Sequence, residues 1–442
     1  MIKPGFKQTE IGRIPEDWEV KKIEQIKSNK KHSMSMGPFG SNITKDNFVD
    51  EGVPVIRGNN LTDYRFKDEE FVFVTDSKAN ELKASLAYPN DIVVTHRGTL
   101  GQVGIIPQNS KYERYIVSQS GMKLTCDDSI AKPEFIFYFL KSPKGQFLLL
   151  QNTSQTGVPA IAQPLTTLKN ILIPLPSLNE QRAIASILSS LDSKIALNRS
   201  MNSTLEGIGQ TLFRRWFIDF EFPNEKGKPY KSSGGEMVHN EELGKEIPKG
   251  WRVGTLEDYI EFVKGKKPKE VSEEKIEGYL PQILIETLNG GNFSYANPTN
   301  LVTCNENDII MVMDGASSGR VEIGFNGILG STLAKIVCKN DNINQSYLYF
   351  ILLNKQQEIK ENPTGSAIPH ADKKRVLASI IIIPDKKTLV KFQEFMTNLF
   401  NKIWLNKKEI KSLSQIRDAL LPKLMSGEMR IEDAERFMGG RS

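Results

Sequence analysis

No run of this sequence approaches the eighteen or so consecutive apolar residues that a membrane-spanning helix needs. Cysteine is scarce: Cys126, Cys304 and Cys338 stand at unrelated spacings, which argues against a disulfide framework and suits a reducing cytoplasm. The histidines His32, His96, His239 and His370 are scattered, with no His-x-x-x-His pair and no cysteine beside them, so no zinc site is expected. The opening stretch, Met1-Ile2-Lys3-Pro4-Gly5-Phe6, lacks the apolar core of a signal peptide. A cytoplasmic location is the expectation.

Catalytic motifs are missing too. No Gly-x-x-x-x-Gly-Lys-Ser/Thr run is present to wrap a nucleotide's phosphates in backbone amides. A methyltransferase acting on a base amino group would want an Asn/Asp-Pro-Pro-aromatic string, and Asn297-Pro298-Thr299 fails it. Phe325 to Gly330 reads as a hairpin turn in place of a cofactor loop, and Pro384-Asp385 as a helix N-cap in place of a nuclease carboxylate. The chain reads as a recogniser, not an enzyme.

What is present is 442 residues, 39% hydrophobic and 25% charged, the composition of a soluble globular protein of two or three domains. A net charge of +5 permits an anionic partner without requiring one.

The organising feature is a long helix that occurs twice. From Asn179 to Trp216, apolar residues at Leu188, Leu191, Ile195, Leu205, Ile208 and Leu212 follow a coiled-coil seam, interrupted by Asn198. From Asp385 the same seam reads Met396, Leu399, Ile403, Asn406, Leu413, Ile416, Leu420. An asparagine inside a seam costs stability but fixes register, because a slipped pairing leaves its amide unsatisfied. The two helices are expected to pair antiparallel. The alternative is two amphipathic helices packed on separate domains.

The repeat extends well beyond the helices. Ile14-Pro15-x-x-Trp18 returns as Ile247-Pro248-x-x-Trp251, each followed by a basic loop, one with Lys30 and Lys31 and the other with Lys264, Lys266 and Lys267. The strand-like run Asn90 to Gly98 returns as Asn307 to Gly315, each leading into a glycine-punctuated loop. An aromatic helix at Pro133 to Leu140 is echoed at Ser346 to Leu352, and the loop Thr156-Gly157 with Ala160-Ile161 at Thr364-Gly365 with Ala367-Ile368. Ile171 to Pro174 and Ile381 to Pro384 each end a buried strand. The boundaries that follow are a first domain at 1–178, a helix at 179–218, a linker at 219–246, a second domain at 247–384, a helix at 385–426 and a tail at 427–442. The linker rests on the composition of Asn224 to Pro229 and Ser232 to Gly235.

Nucleic acid suits a recogniser of this kind. The lysine loops are candidates for phosphate contacts made twice, or are simply solvated charge. Base-reading candidates are Asn42, Arg57, Asn59, Asn60, His96, Arg97, Gln102 and Gln119 in the first copy, and Ser317, Ser318, Arg320 and Thr332 in the second. Arginine matches guanine and asparagine or glutamine matches adenine in a bidentate fashion. Each also has a structural alternative, His96 as a satisfied strand-end histidine above all. Phe39, between Gly37 and Gly40, could stack on a base, but a turn-buried ring is the expectation. A helix of roughly 35 residues is about 50 Å long. Domains at its ends would be centred about 15 base pairs apart, so the expected target is two short unlike sequences with an unread gap.

The chain resembles the specificity subunit of type I restriction-modification systems. The resemblance rests on Ile14-Pro15-x-x-Trp18 and its echo, Gly37-Pro38-Phe39-Gly40-Ser41 and Gly52-Val53-Pro54 through Asn60. It rests also on Pro174-Leu175-Pro176 with Glu180-Gln181, Phe213 to Phe217, and Leu420 to Gly427. It implies an α/β (α+β) fold: two similar target-recognition domains separated by an antiparallel pair of long helices. It implies no cofactor in this chain. Double-stranded DNA would be the ligand. Two methyltransferase subunits would bind S-adenosylmethionine and methylate adenine N6, and up to two ATP- and Mg-dependent motor-nuclease subunits would join. Phe213, Trp216, Phe217, Leu421 and Leu424 become candidates for partner docking, or for the apolar end of the coiled coil. Two features depart from the pattern: the second domain has no Gly-Pro-Phe-Gly-Ser string, and the second helix opens with Lys386-Lys387-Thr388. The competing functions are a self-sufficient methyltransferase or nuclease, and a coiled-coil spacer that touches no DNA.

Overall fold

Apolar residues recurring every three or four positions form one helix at Leu178–Phe213, closed by a π-type turn at Arg214–Ile218, and a second at Lys386–Ser426. The computed structural model describes residues 5–61, 66–154, 157–364 and 369–439. Of the repeat, Thr156, Gly365, Ala367 and Ile368 lie outside the described residues. The chain divides into two units, one of residues 1–198 with 409–442, the other of the contiguous stretch 199–408. Each unit therefore owns a segment of both helices.

In unit 1 the pairing is antiparallel: Leu188, Leu191 and Ile195 are buried in one core with Leu420 and Leu424, and Leu413 and Ile416 pack against it. Asn198 is buried and donates from Nδ2 to Glu409 Oε2 at 2.8 Å. In unit 2, Met396 and Ile403 are buried in one core, with Leu205, Leu212 and Leu399 packed against it. Asn406 is buried there, and its Nδ2 donates to Asn202 Oδ1 at 2.8 Å. Asn202 itself donates toward the Ile403 carbonyl.

The structure corrects the seam at one level. Ile208 is 51% exposed, while Gly209 beside it is buried. Ile416 is half-buried, and Arg417 next to it is 2% exposed. A 3-4 spacing carried from Leu205 runs through Gly209 to Leu212, and from Leu413 through Arg417 to Leu420. Reading hydrophobicity alone shifts the seam by one residue, because its true occupants there are a glycine and an arginine.

Unit 1 carries an antiparallel four-stranded sheet ordered Val103–Ile105, Ile92–Thr95, Gly121–Leu124, Met34–Met36. A second sheet contains one parallel pair, Val53–Ile56 beside Tyr115–Val117. Unit 2 repeats the plan, with Ile260–Lys264, Leu333–Cys338, Ile309–Val312 and Val321–Glu322 in one sheet. Its parallel pair is Leu280–Ile283 beside Gly327–Leu329. The aromatic helix is Pro133–Lys141 in unit 1, where Pro143 ends it and starts another. Its counterpart Gln345–Glu361 runs on, capped by Asn344, whose side chain accepts from the Tyr347 N–H.

Two segments read as linker and tail are part of the packed units. Met237–Asn240 pairs with Lys245–Pro248 just as Phe6–Thr9 pairs with Gly12–Pro15. Phe220 and Phe222 are buried, Phe222 stacking between Tyr230 and Trp251. Past the second helix, Arg430 pairs with Asp17 and Glu180, and Ala434 of the helix Ile431–Gly439 is buried in the unit 1 core. Polar and glycine-rich composition on the surface of these segments hid the few aromatic or charged anchors that hold them.

Candidate nucleic-acid interface

In unit 1 the strand ends converge through backbone bonds. Ser118 donates its N–H to the Ile56 carbonyl, and Gly37 to that of Gly121. His96 donates to Ser120, receives from Ile161, and Arg97 bridges to Ala160. Gln102 presents its carbonyl to the Thr95 N–H, and its side-chain amide oxygen packs on Gly58 in the turn Gly58–Asn60. One edge thus gathers Arg57, Asn59, His96, Arg97, Gln102 and Gln119. Of these, Asn59, Arg97 and Gln119 are exposed.

Three polar atoms at this edge are buried with no hydrogen-bond partner: Arg57 Nε, His96 Nε2 and Gln102 Oε1. An unsatisfied buried polar atom costs about 1–3 kcal/mol, so this edge carries hydrogen-bonding capacity that the chain's own groups leave unused. Burial pushes the His96 imidazole below its ordinary range despite a hydrogen bond to the Gln119 backbone, so the ring is neutral near pH 7.

Asn60 has a different task. It is fully buried, accepts from the Arg57 N–H at 3.0 Å, and donates to the carbonyls of Lys67 and Glu69. It shapes the turn that carries Arg57 and Asn59. Asn42 is exposed in the short turn Gly40–Asn42 that follows Gly37. Lys30 and Lys31 are exposed, but they precede Met34–Met36 and so lie at the opposite end of that strand from Gly37.

Unit 2 builds the same edge bond for bond. Gly330 donates to Ile283, Gly265 to Leu333, Met313 to Thr332, and Val312 to Arg320. Asp314 bridges to His370, and Ala371 donates to Met313. The positions of Arg57, His96, Arg97, Gln102 and Ala160 are therefore held by Leu284, Met313, Asp314, Arg320 and His370. This also corrects the loop equivalence. Lys264 is the counterpart of Met36, and Lys266 and Lys267 occupy the places of Pro38 and Phe39; they do not match Lys30 and Lys31. Strand register decides the matter, because Lys264 pairs with Ala334 as Met36 pairs with Met122.

The chemistry at this second edge differs. Lys266 and Lys267 are exposed. Asp314 is held by His370 Nδ1 at 2.7 Å and Lys264 Nζ at 3.4 Å. Arg320 is occupied by Glu322 and Asn289, both at 2.6 Å, and by the Leu288 carbonyl. Ser318 is buried, and Ser317 and Thr332 are half-buried. Asp314 and His370 were not among the sequence candidates. The only signal for them was their place after a strand and near a glycine.

The docking candidates turn inward. Phe213, Trp216, Phe217 and Leu424 are buried, and Leu421 is half-buried against the unit 1 core. Phe217 lies 4.9 Å from Phe392 and 4.6 Å from Tyr347, ring to ring. These residues close the ends of the coiled coil. Among the described residues no helix is long and apolar enough to cross a membrane, and no cluster of three His, Cys, Asp or Glu side chains is placed to hold a metal ion.

A duplicated strand edge with divergent side chains, beside a helix that is also duplicated, defines a class. The chain belongs to the family of type I restriction modification DNA specificity domains, which it matches twice, over residues 15–207 and 248–415. Among its relatives is the type I restriction enzyme MjaIX specificity subunit of Methanocaldococcus jannaschii, 30% identical across 97% of both chains. The MjaVIII specificity subunit of the same organism is 32% identical over 45% of this chain and 46% of its own. The fold resembles the crystal structure of the type I restriction-modification S subunit from M. genitalium, with a TM-score of 0.59, 20% identity, and coverage of 96% of this chain and 99% of that one.

Proposed function

We propose that this chain is the non-catalytic DNA specificity subunit of a type I restriction-modification complex, and that it reads a split, asymmetric sequence. Each unit reads one half, and the paired helices set the length of the unread gap. The observation that carries the reading is the strand edge built twice on one hydrogen-bond pattern around unlike side chains. A shared framework keeps the mode of approach to duplex DNA, and the substitutions change which bases are favoured. In unit 1, Arg57, Gln102 and the neutral His96 offer donors and acceptors suited to base edges. In unit 2, Lys266 and Lys267 serve the phosphates, while Asp314 offers an acceptor suited to a cytosine amino group.

On this reading the chain also scaffolds its complex. Methyltransferase subunits bring S-adenosylmethionine, flip the adenine and carry out the N6 transfer, and motor-nuclease subunits bring ATP and Mg chemistry. The exposed faces of the helices are where such partners dock, since the aromatic residues at the helix ends are committed to the chain's own core.

The test is methylome sequencing of a host expressing the chain with its partners. The expected result is one bipartite methylated motif. Exchanging residues 30–170 for those of a relative should change one half of that motif and leave the other half and the gap intact. Turnover by the purified chain alone with labelled S-adenosylmethionine would sink the non-catalytic assignment. Binding of the assembled complex that fails to weaken with salt would sink the phosphate contacts.

A further inference from the structure

Phe39 is 67% exposed, more than any other large apolar residue among those described. The structure overturns the expectation of a turn-buried ring, and the loop explains why the ring stays out. A Cβ on Gly37 would collide with the carbonyl oxygens of Ser118 and Val117, so only glycine lets the chain pass so close to the strand edge. Pro38 is buried and fixed in φ. Gly40 then takes a left-handed φ of 56°, and the turn closes with the Asn42 N–H donating to the Phe39 carbonyl at 3.2 Å. A loop pinned on both sides of Phe39 fixes the direction of its Cα–Cβ bond, and the ring stands largely in solvent. Leaving a phenyl group in water forgoes the gain that burial of an apolar side chain brings.

The counterpart loop sharpens the point. Gly265 makes the same forced approach, against the carbonyls of Gly330 and Leu329. Beyond it stand Lys266 and Lys267, so an ammonium occupies the place of the phenyl ring. The surroundings of Phe39 are polar: exposed Ser41 and Asn42 on its own loop, and Gln119 one residue past the Ser118 contact. An apolar, planar group presented among hydrogen-bonding groups matches a partner that has flat apolar faces and polar edges. Stacked bases are such a partner.

We propose that Phe39 is a wedge that enters the base stack of the half-sequence read by unit 1, unstacking one step there, and that unit 2 has no such wedge. The proposal rests on the DNA-reading function above. Unstacking is unfavourable, and burial of the ring and the contacts it opens for Arg57 and Gln102 must offset it. The two half-sequences are then deformed unequally, and the first favours flexible pyrimidine–purine steps.

The test uses the full chain assembled with its methyltransferase partners, on a duplex carrying the methylated motif with 2-aminopurine placed at successive positions. The wild-type complex should raise fluorescence several-fold at one step of the unit 1 half, apart from any rise at the methylated adenine. Phe39→Ala should abolish that rise, weaken binding roughly 10- to 100-fold, and leave the adenine signal and the other half unchanged. Phe39→Trp should restore it, with the new indole quenched on binding. An unchanged fluorescence pattern in Phe39→Ala would overturn the wedge while leaving the specificity function standing. Loss of partner subunits from the Phe39→Ala complex would also overturn it, by showing that the ring meets protein. A wild-type complex that binds the motif no better than random duplex would remove both the wedge and the function it rests on.

Discussion

At one level of the coiled coil the two units solve the same packing problem with opposite chemistry. In unit 1, Arg417 Nη1 sits 3.0 Å from Asp192 Oδ1, Tyr138 donates to the same carboxylate at 2.8 Å, and Arg417 and Asp192 are nearly inaccessible. The repeat puts Gly209, Phe400 and Phe350 at the corresponding places of unit 2. There Phe350 and Phe400 stack at 6.2 Å, and a Cβ on Gly209 would press on the Phe350 ring. Charge closes one joint and rings close the other. Each helix segment is therefore matched to its own domain: Phe400 in place of Asp192 would take from the buried guanidinium its bond to the core side of the joint and leave it Asp418, the exposed neighbour it also holds at 2.7 Å. A buried ion pair is weak evidence for stability, so its value here lies in fixing which segment belongs where.

The largest effect is expected from breaking that joint. Arg417→Met leaves Asp192 buried without its partner and should cost about 3–5 kcal/mol. Urea denaturation followed by hydrogen exchange should show the loss in unit 1 and little change in unit 2. Converting the whole joint with Tyr138→Phe, Asp192→Phe and Arg417→Gly should recover most of the loss. A triple variant as unstable as Arg417→Met would refute the equivalence.

Next in size, on the proposed function, are the two strand edges. Gln102→Ala should relax one position of one half-sequence by about 1–3 kcal/mol, visible in the methylome as tolerated substitutions there alone. The paired substitution Lys266→Ala with Lys267→Ala should instead weaken binding to all sequences and reduce the salt dependence by roughly two phosphate contacts. If Gln102→Ala weakened every sequence alike, the contrast between a base-reading edge and a phosphate-holding edge would be lost.

The smallest effect is the pH dependence that His96 carries in unit 1, its place in unit 2 being taken by Met313. Burial holds the folded His96 below the 6.5 of a free imidazole. Between those two values the unfolded chain binds more protons, so stability is complete above about pH 6.5 and declines as the pH falls below it. The slope cannot exceed about 1.4 kcal/mol per pH unit for one group. His96→Gln should flatten it, as measured by hydrogen exchange of unit 1 peptides between pH 5 and 8.

The helices and the duplication were legible because their signal is the spacing of apolar letters, and Leu188, Leu191 and Ile195 carry it plainly. Arg57 and Gln102 were legible as candidates because each sits beside a glycine after a strand. Gly209 and Arg417 were not, because a seam position filled by a gap or a charge looks like surface. The lysine loops misled for a related reason: two basic runs after similar segments look equivalent, and only strand register shows that Lys264 answers to Met36. Nor can letters tell whether the ring in Gly37-Pro38-Phe39-Gly40 points in or out. That depends on how close Gly37 lies to Ser118, a contact made across more than 80 residues of chain.

The division of the chain has a consequence for synthesis. The core around Ile14 and Trp18 is completed by Leu420, Leu424, Met425 and Ala434. Ile14 and Trp18 must therefore wait on the ribosome for partners that follow the whole of the contiguous stretch 199–408, which can close before them. A chain cut short before Leu420 would leave that core open, exposed to chaperones and proteases.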